Sequence, residues 1–267
     1  MPVKRPPATP SPAATLMLVR DHAVTGIEIL LIQRHRASKF AAGDYVFAGG
    51  KVENADHAPN AAAWCVGLDA GRAARVLGLP HDADQALGYW IGAIREAFEE
   101  VGVLLAYGSD GCPARLGATR VGEYRRACQA DHRAFWDMLG AEGLRLATDQ
   151  LVYVAHWITP EERPLRFDTR FFAAPMPAGQ AAVADDKEIV DVRWLSPAGA
   201  LAACERGEIS LRLPTLRNVK LFEGAVSTAD ALGRLDGRQI EVIRPRLISG
   251  EDGSPQRTLL PGDPGYF

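Results

Sequence analysis

The sequence predicts a layered domain of the α+β or α/β type. Three observations carry this. Strand-like segments recur along the chain, turn residues punctuate them, and helical-period segments fall between and after them, so helices on both sides of a sheet bury the apolar faces. With 267 residues, 47% apolar and 24% charged, the chain has ordinary globular composition and suffices for one large domain or a core with additions.

The elements follow in order. MPVKRPPATPSPA is proline-rich without an apolar signal core, so residues 1–12 read as a disordered lead-in. ATLMLVRD and IEILLIQRH read as two strands joined at Thr25-Gly26. RASKFAAGDYVFAGGKVE reads as a loop, a short strand and a glycine turn. The alanine-rich stretch that follows is broken by glycine and proline, with GRAARVLGL as a short helix. A helix runs from about Trp90 through REAFEEVGV, with Gly102 as its cap. EYRRACQADHRAFWDMLGAEGL is one helical stretch. LVYVAHWIT and LRFDTRFFAAPMP are strands separated by PEERP, and EIVDVRWLSP is another. From Pro197 to about Leu235 the pattern is helical, and the C-terminal segment alternates as a hairpin turning at Glu251-Asp252-Gly253.

The net charge of −3 and scattered arginines give no nucleic-acid surface, and no apolar run approaches a membrane span. Cys65, Cys112, Cys128 and Cys204 form no C-x-x-C pair, which argues against zinc and fits free thiols in a reducing cytoplasm.

The chemistry-bearing segment is REAFEEVGV. Ile91, Ile94, Ala97, Phe98 and Val101 form one apolar stripe, and Glu96, Glu99 and Glu100 project from the opposite face. Like charges at this spacing repel by about 0.2–0.5 kcal/mol per pair, and Arg95 offsets part of that through Glu99. Two readings stand: a solvated acidic face, or a site for a hard divalent cation.

GGKVE (residues 49–53) with Asp56, taken together with REAFEEVGV, resembles the two halves of the Nudix box. Asp56 stands where that pattern usually has Glu, and 38 residues separate it from Arg95 where the usual box has a short link. The interruption, the two strands after the helix and the late LLPGD resemble the Nudix branch that includes the peroxisomal coenzyme A diphosphatases. The likeness spans nearly the whole chain, although the sequence ends GYF rather than S-K-L. It implies an α/β/α sandwich around a mixed sheet. The expected Nudix domain covers residues 13–196, with an insertion at 57–88, and residues 197–267 form a helical extension and terminal hairpin packed on the core.

The resemblance also implies the activity: metal-dependent hydrolysis of a diphosphate linkage with Mg²⁺ or Mn²⁺, the substrate being coenzyme A or an acyl derivative. The alternatives are a nucleotide sugar or dinucleotide, or a Nudix-fold ligand-binding module without turnover. Glu99 and Glu100 are the first expected metal ligands, Glu96 completes the set, and Arg95 orients them. Gly49 and Gly50 either admit close backbone approach to the metal, at Gly50 above all, or form a tight turn. Glu188 is a metal ligand or general base, or else a solvated loop acid. For the substrate, Lys39, Arg34 and Arg36 are the candidate cations for a 3′-phosphate, and Gly43 and Phe47 match the upstream pattern of coenzyme A-specific members, where Ala48 replaces a proline. No histidine is assigned a role; His35, His57, His81 and His132 read as surface residues. The insertion is a specificity lid or a surface excursion. The expected partner is a small-molecule diphosphate, in the cytoplasm, with no nucleic acid and no membrane; a homodimer is left open.

Overall fold

The computed structural model describes residues 6–58, 60–248 and 257–266. The chain runs β1 (Ser11–His22), β2 (Gly26–Arg34), β3 (Tyr45–Val46) and β4 (Ala48–Lys51). Short 3₁₀ turns at Asn54–His57 and Ala61–Trp64 lead to α1 (Ala70–Leu77) and α2 (Ala83–Val101). Next come β5 (Ala106–Tyr107), α3 (Ala118–Ala130), α4 (Ala134–Glu142), β6 (Arg145–Leu146), β7 (Val152–Ile158), β8 (Phe167–Pro175) and β9 (Ile189–Leu195). Last are α5 (Pro197–Glu205), α6 (Leu213–Lys220), α7 (Thr228–Leu235), β10 (Val242–Ile243), β11 (Arg246–Ile248) and β12 (Arg257–Leu259).

The main sheet has eight strands in the order β10-β7-β8-β1-β2-β3, with β4 added to β1 and β9 to β2. β1–β8 and β7–β10 are parallel and the other pairs antiparallel, so the sheet is mixed. Alternation along β1 and β2 decides the layers. Leu16, Leu18, Leu30 and Ile32 face a core built on α1 to α4, whereas Met17, Val19, Ile29 and Leu31 face a core built on α5 to α7. With helices on both faces, both sets are buried and the strands read as near-continuous apolar runs. The result is the expected α/β/α sandwich. The segment after residue 196 is more than an extension, because α5 to α7 supply the whole second helical layer.

One edge of β1 is occupied by β8 along Ser11–Val19. The other is shared: Val19–His22 pairs with β2, and Ala13–Leu16 with β4. The sheet therefore divides, and β4 enters the fork beside α2. This fork positions the site.

Three boundaries differ from the sequence reading. The lead-in is shorter than 12 residues: β1 starts at Ser11, and Arg166 donates to the Ala8 carbonyl at 2.6 Å. α2 begins at Ala83, where Asp82 caps it by accepting from the Gln85 amide. Gly88 lies within α2, where the His57 ring occupies the space a Cβ would need. The stretch around residue 131 is two helices, α3 and α4, parted where Asp131 accepts from the Arg133 amide. The strands of the terminal hairpin pair as expected, Arg246 with Leu259, while its turn at Glu251-Asp252-Gly253 lies outside the described residues.

The insertion packs into the core. Ala61, Cys65, Ala73, Ala74 and Leu77 join the cluster around Ile94 and Phe98. Trp64 meets Trp136 edge-on, Trp136 Nε1 donates to the Ala55 carbonyl, and Thr148 Oγ1 donates to the Val66 carbonyl. The alanines that suggested a loose excursion are the small residues that let α1 lie closely on α2.

Candidate active site

The site is assembled around Arg95, whose side chain is fully buried. All five of its N–H donors are used. Nε and Nη2 grip Asp56 in a two-point contact at 2.8 and 3.0 Å. Nη2 also reaches the Lys51 carbonyl at 2.9 Å, and Nη1 reaches Glu96 at 3.0 Å and Glu99 at 3.1 Å. Burial alone would lower the Arg95 pKa, but the bonds to Asp56 and the charges of Glu96, Asp56 and Glu99 outweigh it and hold the guanidinium charged. The two box halves therefore meet across the 38-residue gap through one ion pair.

The acidic face is not solvated. Glu99 and Glu100 are buried, and Glu96 is largely covered. Glu100 accepts from the Gly49 amide at 2.8 Å and from Arg34 Nη1 at 3.3 Å. Glu96 lies over Gly50, where an added Cβ would stand 2.5 Å from Glu96 Oε1; a Cβ on Gly49 would stand 2.5 Å from the Ala14 carbonyl oxygen. Gly49 is therefore demanded by the close approach of the β1 backbone, while Gly50 leaves the room that the Glu96 carboxylate occupies. Burial, with the charges of Glu99 and Asp56, pushes the Glu96 carboxyl up to about 7 against the opposing pull of Arg95. Glu100 is raised well above the usual carboxylate range by burial and then by Glu96, against relief from Arg34 and the Gly49 amide.

Glu99 is turned differently, toward Arg95 and toward His132 Nδ1 at 3.1 Å. His132, read from sequence as an unassigned surface residue, is thus a contact of the acidic cluster. The α2 C-terminus is secured by α3: Arg125 donates to the Glu99 and Glu100 carbonyls, and Gln129 bridges the Glu99 carbonyl to Asp185. Gly102 closes the helix at φ +72°. Neither Arg125 nor Gln129 carries a motif signal; only their position on α3 exposes the role.

Asp185 builds the turn that presents Glu188, accepting from the amides of Lys187, Glu188 and Ile189. Glu188 is exposed and stands 3.8 Å from Arg34 Nη2. Arg34 thus links Glu100 to Glu188, and its Nε is buried without a partner. Arg36 and Lys39 are exposed on the loop after β2. Phe47 is not brought to the site: it is buried on the α5–α7 side of the sheet, among the cluster that contains Met17 and Leu31. A 390 Å³ hollow lined by Gln33, Tyr45, Cys204 and Leu211 likewise lies apart from the α2 carboxylates.

Among the described residues, no three carboxylate, imidazole or thiol groups form a preformed metal cage. The donor set still fits Mg²⁺ or Mn²⁺. Such ions are commonly bound by one or two carboxylates, with waters and substrate phosphates completing the shell. Glu96 and Glu100, raised in pKa beside consecutive glycines, are two oxygen donors that a cation would relieve of mutual repulsion.

Comparison with known proteins assigns the fold and its site to a family. A family model described as the NUDT19 Nudix domain matches residues 78–221, and the chain belongs to the Nudix hydrolase superfamily in its NUDT19-like branch. It is 28% identical to human "Acyl-coenzyme A diphosphatase NUDT19" over 98% of this chain and 75% of that protein. The Gallus gallus protein of the same name is 30% identical over 90% of this chain and 72% of its own length. A NUDIX hydrolase from Alicyclobacillus acidocaldarius shares the fold with a TM-score of 0.71 at 23% identity, over 87% of this chain and 99% of that one.

Proposed function

We propose that this protein is a metal-dependent diphosphatase acting on coenzyme A or acyl-coenzyme A, releasing 3′,5′-ADP and a phosphopantetheine. The observation that carries the chemistry is the Arg95 hub, which holds Asp56, Glu96 and Glu99 in one buried network beside Glu100. The substrate class is supported by the names of the relatives matched along most of the chain, both acyl-coenzyme A diphosphatases.

Glu96 and Glu100 hold the cation, with Glu99 adjoining them through Arg95. When bound, Mg²⁺ or Mn²⁺ supplies positive charge against the negative charge that develops on the diphosphate. Arg95 fixes the carboxylates, and Gly50 leaves the room that Glu96 occupies. Arg34 approaches the diphosphate with its unpartnered Nε as donor to a phosphate oxygen, its delocalised charge tolerating contact with both Glu100 and substrate. Glu188, exposed on the Asp185-built turn, takes a proton from the attacking water. Lys39 and Arg36 add positive charge at the mouth of the cleft. We place the enzyme in the cytoplasm on the reducing-compartment pattern of its cysteines, all four of them free.

The test is turnover of an acyl-coenzyme A by purified protein, with chelation and metal add-back. Activity should vanish on chelation and return with Mg²⁺ or Mn²⁺. Undiminished cleavage after exhaustive chelation would contradict the metal role, and no cleavage with either metal would contradict the proposed activity.

A further inference from the structure

Away from the glutamates, five ionisable side chains gather on the same face of the sheet. His156 of β7 and Asp168 of β8 share a hydrogen bond of 2.6 Å, and Arg170 Nη1 donates to the same Asp168 oxygen at 2.9 Å. The Arg170 guanidinium lies 5.4 Å from the Tyr89 ring centre of α2, and Tyr153 of β7 adjoins the group. Arg170, His156 and Tyr89 are buried, whereas Asp168 and Tyr153 are half-buried, so the cluster opens to solvent on one side.

Its polar groups are not all satisfied. Arg170 Nε is buried without a partner, although the residue is only 4% exposed. Among the described residues, neither the Tyr89 nor the Tyr153 hydroxyl bonds to a protein group, and neither is sealed from solvent. A buried donor without a partner is costly, and Arg170 Nε beside two unengaged tyrosine hydroxyls is a donor set suited to an anion. The charges nearby are those of Arg170 and Arg244 against Asp168 and Asp82. Asp168 is already tied to Arg170 and His156, and Asp82 caps α2.

The placement relative to the glutamates is fixed twice over. Across the sheet, Gly50 pairs with Ala14, Ala14 with Arg170, and Arg170 with His156. Gly50 and Arg170 are thus two strand spacings apart, about 10 Å. Along α2, Tyr89 precedes Glu96 by seven residues, two turns on one stripe, which is again about 10 Å. The sheet and the helix both carry the cluster the same distance from the carboxylate that lies over Gly50.

We propose that Arg170, Tyr89 and Tyr153 form a second anion subsite, which receives a phosphate monoester of the substrate while its diphosphate lies at Glu96 and Glu100. This rests on the coenzyme A reading for the identity of that monoester, the ribose 3′-phosphate. Arg170 donates through Nε and the two tyrosines through their hydroxyls. Asp168 and His156 are positioning residues: Asp168 accepts from Arg170 Nη1, and His156 bonds the same Asp168 oxygen. Arg36 and Lys39, being exposed, provide attraction rather than a built pocket.

The test is calorimetric binding of adenosine 3′,5′-bisphosphate and of AMP to the purified protein, which needs no turnover. Wild type should bind the bisphosphate at least roughly tenfold more tightly, as expected for a charged hydrogen bond. Arg170→Gln and, independently, the milder half-exposed Tyr153→Phe should reduce that ratio, Arg170→Gln bringing it near one. Arg170→Lys should restore only part of it. Equal affinities in wild type would overturn the subsite, as would a wild-type ratio retained in a folded Tyr153→Phe or Arg170→Gln protein. The two ideas fail separately. If the bisphosphate preference depends on Arg170 but coenzyme A is not cleaved, the subsite stands and the proposed activity falls. If coenzyme A is cleaved but the preference is absent, the reverse holds.

Discussion

Replacing Asp56 by alanine tests the claim that one ion pair joins the two halves of the interrupted box. Asp56 is 1% exposed and takes two of the five Arg95 donors. Without it, a fully buried guanidinium keeps its charge and loses its two-point partner. Breaking a buried pair by deleting one member costs about 3–5 kcal/mol. At roughly 2–4 °C per kcal/mol for a large domain, the melting temperature should fall by about 6–20 °C. Asp56→Asn retains the shape and one acceptor and should cost about 1–3 kcal/mol. The assay is urea unfolding of wild type, Asp56→Ala, Arg95→Met and the double variant. Because the residues touch, their coupling should exceed about 1 kcal/mol. An Asp56→Ala protein within about 0.5 kcal/mol of wild type would refute the hub, whatever the fate of the arginine variant.

Glu100→Gln should slow turnover roughly a thousandfold or more without loss of stability, since it removes a buried like charge and keeps an acceptor for the Gly49 amide; a steady-state assay beside a thermal melt checks both. Burial lifts the Glu96 carboxyl from the usual carboxylate range up to about 7. Its raised pKa means that the folded state binds the proton more tightly, so its contribution is present below the unfolded value and lost as pH rises to about 7. Metal-free protein should therefore lose stability across that window in urea titrations, and saturating Mg²⁺ should recover it at the upper end, by about 2.7 kcal/mol at a hundredfold excess over Kd. Replacing residues 57–88 by a short link should unfold the protein rather than raise KM, because Cys65, Ala73, Ala74 and Leu77 are core residues; a soluble deletion variant with a native melt would restore the lid reading.

The fold was legible where period and capping agree. β1 and β2 show as apolar runs because both their faces are buried, and Gly102 marks the end of α2 because a helix leaving through positive φ favours glycine. The beginning of α2 was hidden in the alanine-rich stretch read as broken by glycine and proline, and its cap is Asp82, which accepts from the Gln85 amide. The acidic triplet was visible, but its burial was not: helical spacing places Glu96, Glu99 and Glu100 on one face without showing that β4 and α3 close over it. Phe47 matched a sequence pattern yet points to the opposite layer, as its two-residue offset from Tyr45 on the α5–α7 side requires. His132 and Arg125 reach the acidic helix only through the packing of α3 and the link to α4, contacts that no local spacing encodes.

The most direct test of the proposed activity is a competition. Acyl-coenzyme A, a nucleotide sugar and a dinucleotide are mixed at equal concentration with the protein and Mg²⁺, and product masses are followed with time. The account predicts that 3′,5′-ADP and acyl-phosphopantetheine appear first and in excess. Faster release of a sugar phosphate or a mononucleotide from the competitors would contradict the coenzyme A assignment, and no cleavage of any of the three would contradict the diphosphatase itself.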